Sequence, residues 1–440
     1  LALLLSLAMV VTMVAGCSSG STTSSTDSDV IKIGVFEPLT GANAAGGELE
    51  VEGVELANQL RPEVLGKKIE LVIADNKSDK AEATTAAARL IEKDKVVAIL
   101  GSWGSSLSIA AGDVVKTNQI PAVALSATNP QVTAGNDYYF RVAFLDPFQG
   151  TVMANYASKK LNAKKVAIIQ EVSNDYSVGL AKFFTDSFVK LTGDPNAIVA
   201  TGNYNTGDQD FNGILTNIKA ANPDAIFAPG NFTESALIIK QARALGITAP
   251  FIGGDTWETN EFITVGGADV EGAVMSTFFD DTNPLTEAGK TFVAEYKKAY
   301  PDRENIAAVT ALGYDGYMMT LDAIERAGSA DRSTGFAVAT GTVAQGDHYR
   351  GGEGDQGDAD PAQGHRVQRS AQAGHGDSGR RFAGARRGQG PRAGNRGGLG
   401  QSGDGAIECR RRGGESGGSR RRCPAARPPA ALRRGFENRT

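Results

Sequence analysis

"AILGSWGSSLSIA", residues 98–110, runs from a short apolar segment into glycines and hydroxyls, and then into apolar positions at helical spacing. Strand, tight Gly/Ser turn and helix in that order make the repeating unit of an open parallel sheet. The turn lies at the carboxyl end of the strand, where such sheets gather ligands. A helix beginning near Ser105 offers unpaired N–H groups and the positive end of its dipole to an anion. A phosphate is not the expected anion: "GSWGSSLS" has no lysine after its last glycine, and none of the strand-end loops carries G-x-G-x-x-G.

The same rhythm extends in both directions. "VIKIGVF", "KKIELVIAD", "VVAIL" and "IPAVAL" read as strands, and "GGELEVEGVELANQL", "DKAEATTAAARLIEKD" and "SSLSIAAGDVVKTN" read as helices between them. A second series starts near Pro147. It sets "DPFQGTVMANYASKKL", "YSVGLAKFFTDSFVKL", "DFNGILTNIKAANP" and "TESALIIKQARALG" as helices among the strands "KKVAIIQ", "DAIFAPG" and "APFIGG". Two helical stretches, "TEAGKTFVAEYKKAY" and "NIAAVTALGYDGYMMTLDAIERAG", follow. The fold class is therefore α/β, with two doubly wound parallel-sheet lobes.

Charge divides the chain differently. The first 330 residues carry 25 basic and 39 acidic side chains, a net of −14; the last 110 carry 20 arginines, no lysine and 11 acids, a net of +9. The last 110 also hold 25 of the 54 glycines and only ten Val, Ile, Leu, Phe, Met, Tyr or Trp residues, too little apolar surface to offset chain entropy. At the other end, "LALLLSLAMVVTMVAGC" has the length of a signal-peptide core and lacks an initiator Met and a basic start, as a truncated leader would. Its end, Val14-Ala15-Gly16-Cys17, resembles a bacterial lipobox, which makes Cys17 the expected lipidation site. "SSGSTTSSTDSD" then reads as a flexible tether.

Composition also narrows the chemistry. The three histidines, His348, His365 and His375, and the cysteines Cys409 and Cys423 all fall in the arginine-rich tail. The body thus has no Ser–His or Cys–His pair, no zinc ligand set and no disulfide. Binding without turnover is the expectation, with no cofactor and no metal. The strand-end loops offer hydroxyls, backbone amides and one acid: Ser105 at a helix start, Thr128 in "LSATNP", and Asp255 in "FIGGDTWE". Donors in one lobe and a carboxylate in the other suit a zwitterion such as an α-amino acid. Plainer readings stand beside this one. Ser105 and Thr128 also suit caps or turns, Asp255 also suits an N-cap for a helix near Thr256, and Trp103, Tyr176 and Phe232 also suit packing aromatics.

"IKIGVFEPLTG", "ILGSWGSSLSIAAGDV", "IPAVALSATNPQVT", "NDYSVGLAKFF", "DFNGILTNIKAANPDAIFAPG", "IIKQARALGI" and "TALGYDGYMMTLDAIERAG" resemble, in order from Val30 to Asp331, the extracytoplasmic substrate-binding proteins of branched-chain amino acid ABC transporters. The resemblance implies the type I periplasmic-binding-protein fold, two lobes joined by three crossovers and closing on the ligand. It implies lobe 1 at 30–146, lobe 2 at 147–274 and a lobe 1 return at 275–331, after a signal peptide at 1–17 and a tether at 18–29. By position it implies that Ser105 binds the ligand carboxylate, helped by backbone groups of Trp103 and Gly104. Ser126 and Thr128 would hold the ammonium and carboxylate, and Tyr176 would close over them. Asp255 stands where leucine-binding members have Glu, Asn231 beside Phe232 stands where many have tyrosine, and a first-lobe tyrosine is replaced near Gly46. Trp103 is expected to narrow or floor the side-chain pocket.

The resemblance stops at the tail. Residues 332–440 read as the out-of-frame translation of a GC-rich gene: shifted by one nucleotide, the codons of Asp347, His348 and Tyr349 each encode Ile or Thr. A nucleic-acid-binding RGG-like tail is the rival, at odds with export. The expected whole is a monomeric, lipid-anchored, extracytoplasmic receptor. It hands a small branched-chain or otherwise aliphatic amino acid to an ABC permease and its ATPase, without nucleic-acid partners. Receptors for an amide, urea or an aromatic acid, and a sensing module for a signalling partner, are the alternatives.

Overall fold

The computed structural model describes residues 30–331. The lipobox, the tether and the arginine-rich tail lie outside the described residues, as does any third crossover.

The central strand of the first sheet, β1 (Val30–Glu37), is buried along nearly its whole length, which explains its unbroken apolar run. Around it stand β2 (Glu63–Val64), β3 (Lys67–Asp75), β4 (Ala98–Leu100), β5 (Ala122–Ala124) and β6 (Tyr139–Arg141), in the order β2-β3-β1-β4-β5-β6. The pairings are parallel apart from the β2–β3 hairpin. Helices α1 (Ala44–Leu60), α2 (Lys80–Glu92) and α3 (Ser105–Asn118) connect these strands. The second sheet runs β11-β10-β9-β7-β8, all parallel, from β7 (Val166–Glu171), β8 (Ile198–Tyr204), β9 (Ala225–Phe227), β10 (Phe251–Gly253) and β11 (Val274–Met275). Its helices are α4 (Asp146–Asn155), α5 (Asp175–Thr192), α6 (Asn212–Ala221), α7 (Phe232–Ala244) and α8 (Asn260–Gly266). The chain then returns: α9 (Glu287–Ala299) and α10 (Ala308–Ala327) pack Phe292, Tyr296, Leu312 and Tyr317 into the core beneath β1.

The expected helix over 105–118 is α3, residue for residue, and the expected strands and helices elsewhere shift by a few residues at their ends. The stretch 146–161, expected as one helix, is α-helical only to Asn155 and widens to a π turn over Tyr156–Lys160. Four strands carried no clear signal. Three of them, β2, β6 and β11, have two or three residues each, and β8 is an edge strand whose burial is too partial to write an apolar pattern.

Glycines set how closely α1 and α10 cross. A Cβ on Gly53 would lie 1.9 Å from the Thr310 carbonyl oxygen, and one on Gly313 would lie 2.2 Å from that of Glu50. Gly53→Ala is therefore expected to cost at least about 2 kcal/mol in chemical denaturation, by forcing two packed backbones apart. Gly112→Ala in α3, where a Cβ meets only Asn136 Nδ2 at 4.0 Å, is expected to be neutral or stabilising in the same experiment.

Candidate functional site

Both sheets reverse their strand order in the interior, between β1 and β4 in the first and between β7 and β9 in the second. The loops leaving these strands are where a doubly wound sheet opens a crevice. A small cleft lies there, lined by Trp103, Gly104, Ser105, Ser126, Ala127, Asn174, Tyr176, Asn231, Asp255 and Thr256. The first sheet contributes its loops after β4 and β5, and the second contributes loops after β7, β9 and β10.

On the first side, Gly104 takes φ +90° and turns the chain into α3, so that Ser105 is the first helical residue. The initial N–H groups of α3 lack intrahelical partners and face the cleft end of the dipole. Ser105 Oγ accepts from the Asn129 N–H at 3.2 Å and so ties this loop to the next. The next loop is braced from behind by Arg141, whose guanidinium donates to the carbonyls of Ala127 at 2.7 Å and Asn129 at 2.8 Å. Burial pushes that guanidinium down to about 10. The Trp103 N–H is donated to Glu37 Oε2 at 2.6 Å, so at this helix end it is the later amides that face the cleft. Thr128 does not line the cleft. It is fully buried one layer behind, its hydroxyl toward Asp146 and without a hydrogen-bond partner.

On the second side, Asp255 opens a 3-10 turn over Asp255–Trp257 and is 4% exposed. It is not an N-cap: that position falls on Gly254, and the carboxylate points into the cleft. Its Oδ1 accepts from Gln149 Nε2 at 2.6 Å and from the Tyr176 hydroxyl at 2.9 Å. Both donors are neutral. Burial pushes the Asp255 carboxyl up to about 6. Gly254 makes the approach possible, since a Cβ there would lie 1.9 Å from the Tyr176 oxygen. Asn174 caps α5 through the Tyr176 N–H, and its amide donates to Asn231 Oδ1 at 3.2 Å.

Trp103 and Gly46 belong together. A Cβ at Gly46 would lie 2.3 Å from the indole, so the absence of a side chain there is what admits the ring. The indole packs into the second sheet's apolar cluster, 5.8 Å from the ring of Phe232. Further contacts bridge the two sides: Asn231 Nδ2 to Asn43 Oδ1 at 2.9 Å, Lys80 Nζ to Asp175 at 2.9 Å, and Asn129 Nδ2 to the Asp175 carbonyl at 2.8 Å.

The chain that builds this cleft has known relatives. The sequence model described as periplasmic binding protein matches residues 30–380. The chain belongs to the periplasmic binding protein family. Among curated relatives, an amino acid binding protein of Pseudomonas aeruginosa is 33% identical over 66% of this chain and 76% of its own. A Leu/Ile/Val-binding protein homolog of Brucella melitensis is 30% identical over 70% of this chain and 82% of its own. Among solved structures, the leucine-binding protein LivK of Thermotoga maritima is 43% identical, with a TM-score of 0.67 over 70% of this chain and 87% of its own. The LivJ protein of Streptococcus pneumoniae, solved with isoleucine, is 34% identical with a TM-score of 0.64 over the same shares. The resemblance and the type I fold expected from the sequence are thereby established.

Seven of the eight expected cleft residues, all but Thr128, line this binding protein's cleft. Gln149, Asn174 and the buried acids Glu37, Glu50 and Asp146 had not been singled out. Gln149 and Asp146 sit on α4, inside a stretch whose apolar spacing hides them, and only their complete burial marks them. Among the described residues no cluster of His, Cys, Asp and Glu could hold a metal ion.

Burial of these acids fixes a pH response. Burial pushes Asp146 and Glu50 up to about 7 and Asp255 to about 6, whereas the unfolded chain releases these protons near pH 4. Between those values the folded form binds more protons, so this contribution to stability is full below about pH 4 and is lost as pH rises through about 6 and 7. The melting temperature of the ligand-free chain is expected to fall from about pH 5 to about pH 8. Asp146→Asn is expected to flatten part of that slope.

Proposed function

We propose that this periplasmic binding protein captures a small aliphatic amino acid, of the branched-chain class, as a zwitterion between its two sides. The observation that carries the reading is Asp255: a buried carboxylate bonded only by neutral donors, across the cleft from the N-terminus of α3. No lysine or arginine lines the cleft. A buried negative charge without a cation is costly, and a ligand ammonium is the partner that removes the cost. The ligand carboxylate then meets the first amides of α3 with Ser105 and the Ser126 loop, and needs no basic residue. Thr128 supports this loop from behind through the Asp146 N–H, which donates to its carbonyl at 3.1 Å. Trp103, seated on Gly46, closes the side-chain end with an apolar face. The names of the relatives, Leu/Ile/Val-binding and amino acid binding, favour the same class.

Delivery to an ABC permease is supported by contacts split between two sides, which give a membrane partner a ligand-closed form to recognise. Tethering through a lipid on Cys17 is supported by the Val-Ala-Gly-Cys sequence and the Ser/Thr stretch after it.

Isothermal titration with L-leucine, L-isoleucine and L-valine tests the reading, and binding of at least one is expected. Affinity should rise as pH rises through about 6, where Asp255 gives up the proton it holds in the empty site and becomes the ammonium's partner. Asp255→Asn is expected to weaken binding at least about 30-fold and to abolish that rise. Binding of an amide or an aromatic acid in place of all three would overturn the ligand class.

A further inference from the structure

Beneath the two first-side loops lies a pair of carboxyl groups that touches no ligand in the reading above. Glu37 ends β1, Glu50 sits on the inner face of α1, and neither has any solvent exposure. Glu37 faces the 101–104 loop: its Oε2 accepts the Trp103 N–H at 2.6 Å, and a Cβ on Gly101 would lie 2.4 Å from its Oε1. Glu50 lies alongside Ser126 of the other loop. The two carboxyl groups face each other. Among the described residues, no donor meets Glu37 Oε1 or either oxygen of Glu50 in hydrogen-bond geometry.

Two ionised carboxylates in contact and out of water repel each other, and the single Trp103 N–H offsets only part of the lost hydration. One proton resolves this. Carried on Glu37 Oε1 and donated to Glu50, it satisfies an oxygen on each side chain and leaves Glu37 Oε2 to accept from Trp103. Among the described residues, no lysine or arginine acts on either carboxyl group. Tyr139 on β6 gives its hydroxyl to the Gly101 carbonyl at 2.9 Å, and Asp255 adds negative charge from the second side. Arg141 and Asp146 face each other behind the 126–129 loop, and α10 presents Gly313 to the Glu50 backbone. Burial, and then the charge of Glu50, push Glu37 well above the ordinary carboxyl range.

We propose that Glu37 and Glu50 share one proton and act together as a positioning pair, locking the loop of Trp103, Gly104 and Ser105 to the loop of Ser126. The effect on ligand affinity rests on the amino acid reading above; the shared proton does not.

The test uses the full chain. Infrared difference spectra near pH 8.5, above the range in which Asp146, Asp255 and Glu50 hold their protons, are expected to show the carbonyl stretch of one protonated carboxyl group. Glu37→Gln should remove it. Because the amide still donates toward Glu50 and accepts from Trp103, this variant should keep its melting temperature and bind L-leucine within about threefold of the parent. Glu37→Val, which offers neither, should bind L-leucine at least about tenfold more weakly. If Glu37→Val fails to fold, Glu50→Gln is the second variant, expected to lose the band while keeping stability. Absence of the acid band in the parent, or damage from Glu37→Gln equal to that from Glu37→Val, overturns the proposal. If neither L-leucine nor its relatives bind while the band and the stability of Glu37→Gln are as expected, the pair stands and the ligand reading falls.

Discussion

A buried carboxylate answered by no cation organises the cleft. Asp255 is almost wholly out of water, and the groups that reach it are an amide and a phenol. Neutral donors ease a carboxylate's burial without balancing its charge. The surrounding architecture serves that imbalance. Gln149 arrives from α4, Tyr176 from the first turn of α5, and Gly254 has no side chain so that the phenol can reach. Gln149 is itself shared with Ser276, at the point where the chain crosses back toward the first sheet. The acid is thus held by elements on both sides of a crossover, in one orientation.

The opposite wall solves the complementary problem with dipoles. A lysine there would pair with Asp255 across the empty cleft and leave both ends of a zwitterion with a competitor. Backbone amides at a helix N-terminus hold an anion without presenting a full charge to the acid. The strand-end loops therefore have to be fixed by other means, and the fixing groups are buried or half-buried: Glu37 on the Trp103 N–H, Arg141 on the carbonyls of Ala127 and Asn129, and Ser105 on the Asn129 N–H.

How much of this was legible in the sequence follows the physics of each signal. The parallel sheets were readable because a central strand such as Val30–Glu37 must be apolar on both faces, and α3 because Gly104 and Ser105 punctuate its start. Ser105 and Asp255 were readable because polar residues at strand ends stand out against apolar runs, Tyr176 as an aromatic near one, and Ser126 and Asn231 only through the family resemblance. Edge strand β8 wrote no pattern because its environment is mixed. Glu37, Asp146 and Gln149 look in sequence like any solvated polar residue, and only the three-dimensional fold withdraws them from water. Trp103 was readable as a pocket aromatic, but the reason it fits, the missing side chain at Gly46, lies 57 positions away in sequence.

Magnitudes decide what closes the two sides. The Lys80–Asp175 pair is roughly half exposed and is worth at most about 1 kcal/mol. The Asn231–Asn43 hydrogen bond adds about 1 kcal/mol net, and the Trp103–Phe232 contact about as much beyond its buried area. Shifting an open-to-closed ratio from 99:1 to 1:99 takes about 5.5 kcal/mol of differential affinity. The bridging contacts supply part of that by themselves, and they do so whether or not the cleft is filled. Neutralising a buried charge at Asp255 is worth several kcal/mol and arises only with a cationic group in place. On the amino acid reading, the bridging contacts therefore set how near to balance the unliganded protein stands, and the charge at Asp255 makes the outcome depend on the ligand's ammonium.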